Sequence, residues 1–168
     1  MYGGEVSTSL DGSLISHSLD GIGLILSYAK TLNKLPLDNN SNPINLDGFS
    51  TNVSGIEAYF ERGGFAARVS QRYRSAFTAT TRGVVLQTQN STEIDAERQI
   101  DAQVGYSFNE GSLKGLSILL QGNNLTNAPA IQRRSPQTVG SAGNPLGLDP
   151  WNYDDYGRVI LFGATYKL

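Results

Sequence analysis

Apolar and polar residues alternate along much of this chain, with the period of two that is typical of β-strands. The clearest case is residues 99–108, where Ile100, Val104 and Tyr106 alternate with polar or small residues. The same pattern predicts further strands over residues 22–31, 52–60, 65–77, 116–121 and 155–168, and residues 4–10 are interpreted as the end of another. The sequence therefore predicts an all-β chain, folded as an antiparallel up-and-down meander of about seven strands.

Short and long connections alternate between these strands. Residues 11–20, 61–64 and 109–114 are short and rich in the glycines and aspartates of turns. Three longer polar stretches, residues 33–50, about 80–96 and 127–154, are predicted to be loops. Strands of ten residues can cross a bilayer when tilted, and this alternation is typical of transmembrane β-barrels. We therefore expect a partial segment of such a barrel, with aromatic residues near the strand ends at the membrane interfaces.

The alternation assigns the side chains to two faces of the predicted sheet. The apolar face of three adjacent strands is predicted to carry Ile100, Val104, Tyr106, Ile118, Leu120, Ile160, Phe162 and Tyr166. The opposite face is predicted to line a lumen with the charged residues Glu57, Arg68, Arg72, Arg74 and Asp101. The arginines could guide an anionic solute, or they could pair with neighbouring carboxylates. The tight turn at residues 61–64 predicts that Glu57 lies close to Arg68.

Composition narrows the possible functions. The chain has 168 residues, no cysteine and a net charge of −2, which excludes disulfides and thiolate metal sites and argues against a nucleic-acid partner. Its mean hydropathy of −0.26 is compatible with a barrel, because the two faces of each strand cancel in the average. The only histidine, His17, lies in a serine-rich turn without the spacing of a triad or a metal site. We expect no enzyme, no metal and no cofactor.

The last strand, DYGRVILFGATYKL, resembles the C-terminal assembly signal of bacterial outer-membrane barrels. In that signal a glycine is followed by an aromatic residue and an apolar terminus, here Gly163, Tyr166 and Leu168. The usual terminal residue is phenylalanine, so Leu168 is a departure from the pattern. The resemblance implies the barrel-assembly machinery and outer-membrane lipid as partners. An edge strand of a soluble β-domain is the alternative interpretation.

Three further stretches resemble the C-terminal barrel segment of TonB-dependent outer-membrane receptors. They are residues 64–75 (GFAARVSQRYRS), the Asn123–Asn127 stretch NNLTN, and Tyr156-Gly157-Arg158 before the last strand. The resemblance implies a larger barrel in the bacterial outer membrane that takes up a scarce solute with energy from the TonB complex. Residues 1–4 lack the organisation of a signal peptide, so we expect the true N-terminus of the protein to be missing. The resemblance further implies that residues 1–168 are a partial segment of the barrel and lack the plug domain, the early strands and the segment that contacts TonB.

The third long loop carries candidate ligand-binding residues. Aromatic rings beside polar groups suit the faces of sugars or siderophores, which are iron-chelating ligands. The candidates are Arg133, Arg134, Trp151, Tyr153 and Asp154. Trp151 and Tyr153 could equally be interfacial anchors. Siderophore, vitamin and oligosaccharide all remain open as the small solute, and the alternative function is a soluble β-rich module that binds carbohydrate.

Overall fold

The computed structural model describes residues 1–32, 47–82, 89–134 and 150–167, and their regular structure is β-strand with three short 3₁₀ turns. In these ranges no helix has the length and apolar character needed to cross a membrane. The strands are β1 (Tyr2–Asp11), β2 (Ile22–Leu32), β3 (Asn52–Arg62), β4 (Phe65–Arg74), β5 (Phe77–Arg82), β6 (Gln89–Ile94), β7 (Glu97–Ser107), β8 (Leu116–Asn123), β9 (Ala130–Arg134), β10 (Pro150–Asp154) and β11 (Val159–Tyr166).

Seven of these strands form the main sheet, in the order β1–β2–β3–β4–β7–β8–β11. Every neighbouring pair is antiparallel, so the sheet is a meander in chain order. Within the described residues no ladder joins β11 to β1, and the sheet is open. The predicted all-β, antiparallel, seven-stranded fold is confirmed.

The register of the main sheet places the predicted apolar residues on one face. Val104 lies opposite Ala67 on one side and Leu120 on the other, and Leu120 lies opposite Phe162. Since side chains alternate along each strand, the eight predicted residues from Ile100 to Tyr166 share this face. We call it the apolar face and its reverse the polar face. The charged residues predicted together lie on the polar face, because the register aligns β3, β4 and β7 without a slip.

Within the part of the chain that the structure describes, no second layer packs against the apolar face of the main sheet. Among the described residues no apolar side chain is buried, and Phe162 is 73% exposed. Apolar burial is the main driving force of folding in water. This sheet therefore presents to its surroundings the surface that a soluble domain encloses.

A second sheet, in the order β10–β9–β6–β5, was not predicted. The predicted strand over residues 65–77 is wrong at its end, because β4 stops at Arg74 and Phe77 begins β5. The predicted loops at about 80–96 and 127–154 are wrong in part, since they contain half of β5 and all of β6, β9 and β10. These strands carry polar residues on both faces, as in Thr92-Glu93 and Gln132-Arg133, so they lack the alternation that identifies a strand.

The second sheet continues four strands of the main sheet. Breaks of two to six residues separate β4 from β5, β6 from β7, β8 from β9 and β10 from β11. The strand order is the same on both sides of these breaks. We call this end of the main sheet the loop end. The opposite end, where residues 12–21, 63–64 and 108–115 connect the strands, is the turn end.

Each connection at the turn end finishes with a glycine at positive φ. The φ angles are 84° for Gly21, 85° for Gly64 and 90° for Gly115. Their carbonyls accept hydrogen bonds, in the same order, from the backbone N–H of Glu61 in β3, Ser107 in β7 and Lys167 just after β11, at 2.7–2.9 Å. A Cβ on any of the three glycines would collide with the carbonyl oxygen of the same partner residue. These glycines therefore extend three pairs of strands by one residue and help to fix their register.

Replacement of Gly115 by alanine should destabilise the sheet by more than about 1 kcal/mol, because it adds a side chain at positive φ and against the Lys167 carbonyl. The matched control is Gly163→Ala. Gly163 has no positive φ, and its added Cβ would make only an ordinary contact with Leu119 at 3.9 Å. Denaturant unfolding followed by circular dichroism measures both. Equal losses of stability would contradict the role of the turn-end glycines.

Candidate functional site

A cluster of charged side chains occupies the centre of the polar face. It is built from three adjacent strands, β3, β4 and β7, whose residues on this face meet across the ladder. We define this ion-pair cluster as Glu57, Glu61, Arg68, Arg72, Arg74, Glu97 and Asp101. Alternation along β4 alone brings the three arginines to one face.

Each arginine of the cluster contacts a carboxylate. Arg68 Nη1 lies 3.0 Å from Glu57 Oε1. Arg72 Nη2 lies 2.7 Å from Asp101 Oδ2. The remaining pairs are Arg74 Nη2 with Glu97 Oε2 at 2.8 Å and Arg68 Nη2 with Glu61 Oε1 at 3.5 Å.

The predicted approach of Glu57 to Arg68 is confirmed. The hairpin turns at Gly63-Gly64, both at positive φ, so Arg62 pairs with Phe65. Glu57 then lies opposite Ser70, and Arg68 is its diagonal neighbour. Sequence reasoning missed Glu61 and Glu97 as members of the cluster. Glu61 shares the face of Glu57, and Glu97 lies at the start of β7, two residues before the predicted strand over residues 99–108 begins.

Three arginines and four carboxylates leave the cluster without excess positive charge. The arrangement favours the interpretation that the arginines pair with neighbouring strands over a cationic path for an anion. Arg72 is the most accessible of the three, with 66% of its side chain exposed. It lines a groove of about 480 Å³ together with Ser27, Gly55 and Gln99.

A second group of residues forms the corner between the two sheets. Its centre is Asn124, which is 8% exposed and has a φ of 52°. The Asn124 side chain donates to the carbonyls of Gly157, at 3.0 Å, and Ala128, at 3.3 Å, and its oxygen accepts from Ala128 N at 2.8 Å. Arg158 Nε donates to the Leu125 carbonyl at 2.9 Å. The Asn-Leu-Thr-Asn and Tyr-Gly-Arg stretches, which are distant in sequence, are thus joined at this corner.

Asp101 links the corner to the ion-pair cluster. Its Oδ1 accepts the backbone N–H of Asn124 at 2.8 Å, and its Oδ2 contacts Arg72. One half-buried carboxylate therefore supports both structures. We predicted Asp101 as a lumen-facing charge, and its contact with the corner was not visible from the alternation of β7.

The candidate ligand residues are divided between the two faces of the second sheet. Arg133 and Tyr153 share one face, and Asp154 lies on the other, where it accepts a hydrogen bond from Asn152 at 2.7 Å. Arg133 binds Asp95 in a bidentate pair at 2.8–2.9 Å, and this hydrogen bonding raises the pKa of its guanidinium. The side chains of Arg134 and Trp151 lie outside the described part of the chain. The three candidates whose side chains are described, Arg133, Tyr153 and Asp154, therefore do not share one face.

The residues of the C-terminal signal also lie on different faces. Gly163 is on the polar face opposite Leu119, and Tyr166 is on the apolar face opposite Leu116. Leu168 lies outside the described residues. His17 lies in an exposed 3₁₀ turn, and in the described ranges no three acidic or histidine side chains gather as a metal site.

No protein-family model matches this chain, and comparisons with curated proteins and with solved structures found no significant match.

Loss of the Asn124 side chain should destabilise the corner, because the partly buried backbone groups of Ala128 and Gly157 lose the hydrogen bonds that it makes. We expect Asn124→Gly, which keeps the freedom to adopt positive φ, to cost about 1–3 kcal/mol. Asn127→Gly is the matched control, because Asn127 has the same φ of 52° but its side chain makes only one long contact, 3.5 Å to Asp155. The measurement is denaturant unfolding of both variants. A cost for Asn127→Gly as large as that for Asn124→Gly would contradict the central role of Asn124.

Proposed function

We propose that this chain is part of the wall of a bacterial outer-membrane β-barrel, and specifically of a TonB-dependent receptor that takes up a scarce solute. The single observation that carries the membrane part of this proposal is the exposed apolar face of the seven-stranded meander. The receptor part rests on the resemblance of residues 64–75, 123–127 and 156–158 to that family. The solute is a siderophore, a vitamin or an oligosaccharide.

The apolar face has the layout of a lipid-facing surface. Its middle rows carry aliphatic residues in register across the strands, as in Val69 opposite Ala102 and Ala67 opposite Val104. None of the apolar side chains there is buried in the described residues. In lipid, exposure of an apolar surface carries no free-energy penalty, and hydrogen bonds between the strands satisfy the backbone N–H and C=O groups.

We call the middle rows of the apolar face the apolar belt. Aromatic residues border this belt at both ends, and at the loop end they are joined by a cationic residue. Towards the loop end Tyr28, Tyr73 and Arg98 lie in one row across the sheet, with the Arg98 guanidinium 5.8 Å from the Tyr73 ring. Towards the turn end Phe65 lies opposite Tyr106. Phe65 and Tyr73 are eight residues apart on β4, about 27 Å at the rise of a strand. Strands of outer-membrane barrels tilt by about 35–45°, so this distance corresponds to a membrane depth of about 19–22 Å, a little less than their apolar band of about 25 Å that aromatic girdles flank.

The polar face suits a water-filled or protein-filled interior. Its ion pairs are half-exposed, so water or a further protein surface completes their hydrogen bonding. Two buried atoms of the cluster, Arg68 Nε and Arg74 Nε, have no partner among the described residues. A soluble carbohydrate-binding module would need an apolar core, and the exposed apolar face weighs against that alternative.

The membrane part of the proposal makes a depth-dependent prediction. Ala102 lies in the middle row of the belt, opposite Val69 and Gly122, and Val104 lies one row nearer the turn end. Ala102→Arg should cost about 2–4 kcal/mol on reconstitution into lipid vesicles, and Val104→Arg should cost less. The measurement is unfolding by denaturant from the vesicles.

Gln121→Arg is the control, because Gln121 lies on the polar face of β8, opposite Gln103 and Leu161, and has no arginine directly across from it. We expect its cost to be within about 0.5 kcal/mol, as for a surface substitution. Equal costs for Ala102→Arg and Gln121→Arg would contradict a lipid-facing apolar side.

The receptor part is tested by uptake in cells. Deletion of the gene should abolish growth on one member of a panel of ferric siderophores, vitamins and oligosaccharides supplied at limiting concentration. The same growth should be lost when TonB is removed. Growth on all panel members independent of the gene would contradict the receptor assignment and would leave the membrane assignment standing.

A further inference from the structure

The connection between β1 and β2 carries an unusual concentration of exposed apolar side chains. It spans residues 12–21 and is the longest connection at the turn end. Leu14 is 79% exposed, the largest value for any large apolar side chain in the described residues, and Ile15 is 75% exposed. Leu10 and Ile22, which flank the connection on the apolar face, are also exposed. Several exposed apolar side chains within one short connection indicate an interaction surface.

The backbone of this connection is held by local hydrogen bonds. The Asp11 carboxylate accepts from Ser13 N at 2.9 Å and from Ser13 Oγ at 2.6 Å. The N–H groups of Ile15 and Ser16 both donate to the Gly12 carbonyl at 3.0 Å. Gly12 is buried, and a Cβ there would collide with the backbone of Leu19. Local hydrogen bonds therefore fix the conformation of the turn in which Leu14 and Ile15 are exposed.

The connection joins the apolar belt of the sheet at both of its ends. β1 ends at Asp11, one residue after Leu10, and β2 begins at Ile22, so the connection starts and finishes where the belt meets the turn end. We propose that Leu14 and Ile15 insert into the interfacial layer of the lipid bilayer and anchor this part of the sheet. The inference rests on the proposed membrane function. A lipid interface suits the two side chains because acyl chains adapt to protruding groups and remove them from water.

The test uses tryptophan fluorescence and lipids whose acyl chains carry bromine, which quenches tryptophan on contact. The whole chain, with its single Trp151 changed to Phe, is reconstituted into phosphatidylcholine vesicles brominated either near the headgroup or near the chain end. Ile15→Trp reports on the connection and Phe162→Trp on the apolar face. Ser18→Trp, in the second 3₁₀ turn of the same connection, is the matched control.

We expect Ile15→Trp to lose most of its fluorescence with bromine near the headgroup and to lose more than Ser18→Trp. Quenching of Phe162→Trp without quenching of Ile15→Trp would overturn the anchor and leave the membrane function standing. Equal quenching at positions 15 and 18 would overturn the assignment to Leu14 and Ile15. Quenching of neither Ile15→Trp nor Phe162→Trp would overturn both the anchor and the membrane function.

Discussion

Pairing of the seven main strands in one register is the constraint on which the rest of the structure depends. Because side chains alternate along each strand, a slip of one residue would exchange the two faces of that strand. The apolar belt and the ion-pair cluster exist only because no such slip occurs between β3, β4 and β7. The turn-end glycines support this register at the point where each hairpin closes. Because the described residues form no packed apolar core, strand pairing and turns help to fix the strand register, which core packing helps to fix in a soluble domain.

The corner at Asn124 lies where the strands pass from the main sheet into the second sheet, which has the same strand order. A chain that leaves the main sheet after β8 must return to pair as β11, and Asn124 joins both sides of this excursion through Gly157. Asp101 connects the corner to Arg72, so the charged surface and the corner share one carboxylate. A change in the environment of Arg72 therefore acts on a group that also supports the backbone of Asn124.

The main sheet could be predicted from the sequence because its strands and turns are marked by residues that are close together in the chain. Alternation around Val104 identifies a strand and its faces, and the tight turn at Gly63-Gly64 brings Glu57 near Arg68. The corner and the second sheet depend on residues that are far apart in the chain. Asp95 and Arg133 are 38 positions apart, and their bidentate pair has no counterpart in any local pattern. Polar strands such as β6 and β9 are stabilised by backbone pairing, and alternation cannot detect them.

The most direct test of a lipid-facing apolar side is an accessibility scan along β7. The chain has no cysteine, so single cysteines at residues 99–107 can each carry a nitroxide spin label. In lipid vesicles, collisions with oxygen measure contact with lipid, and collisions with a polar nickel complex measure contact with water. The account predicts that oxygen accessibility peaks at Ile100, Ala102, Val104 and Tyr106, and that nickel accessibility peaks at the residues between them. Nickel accessibility that is high at every position, without a period of two, would contradict it.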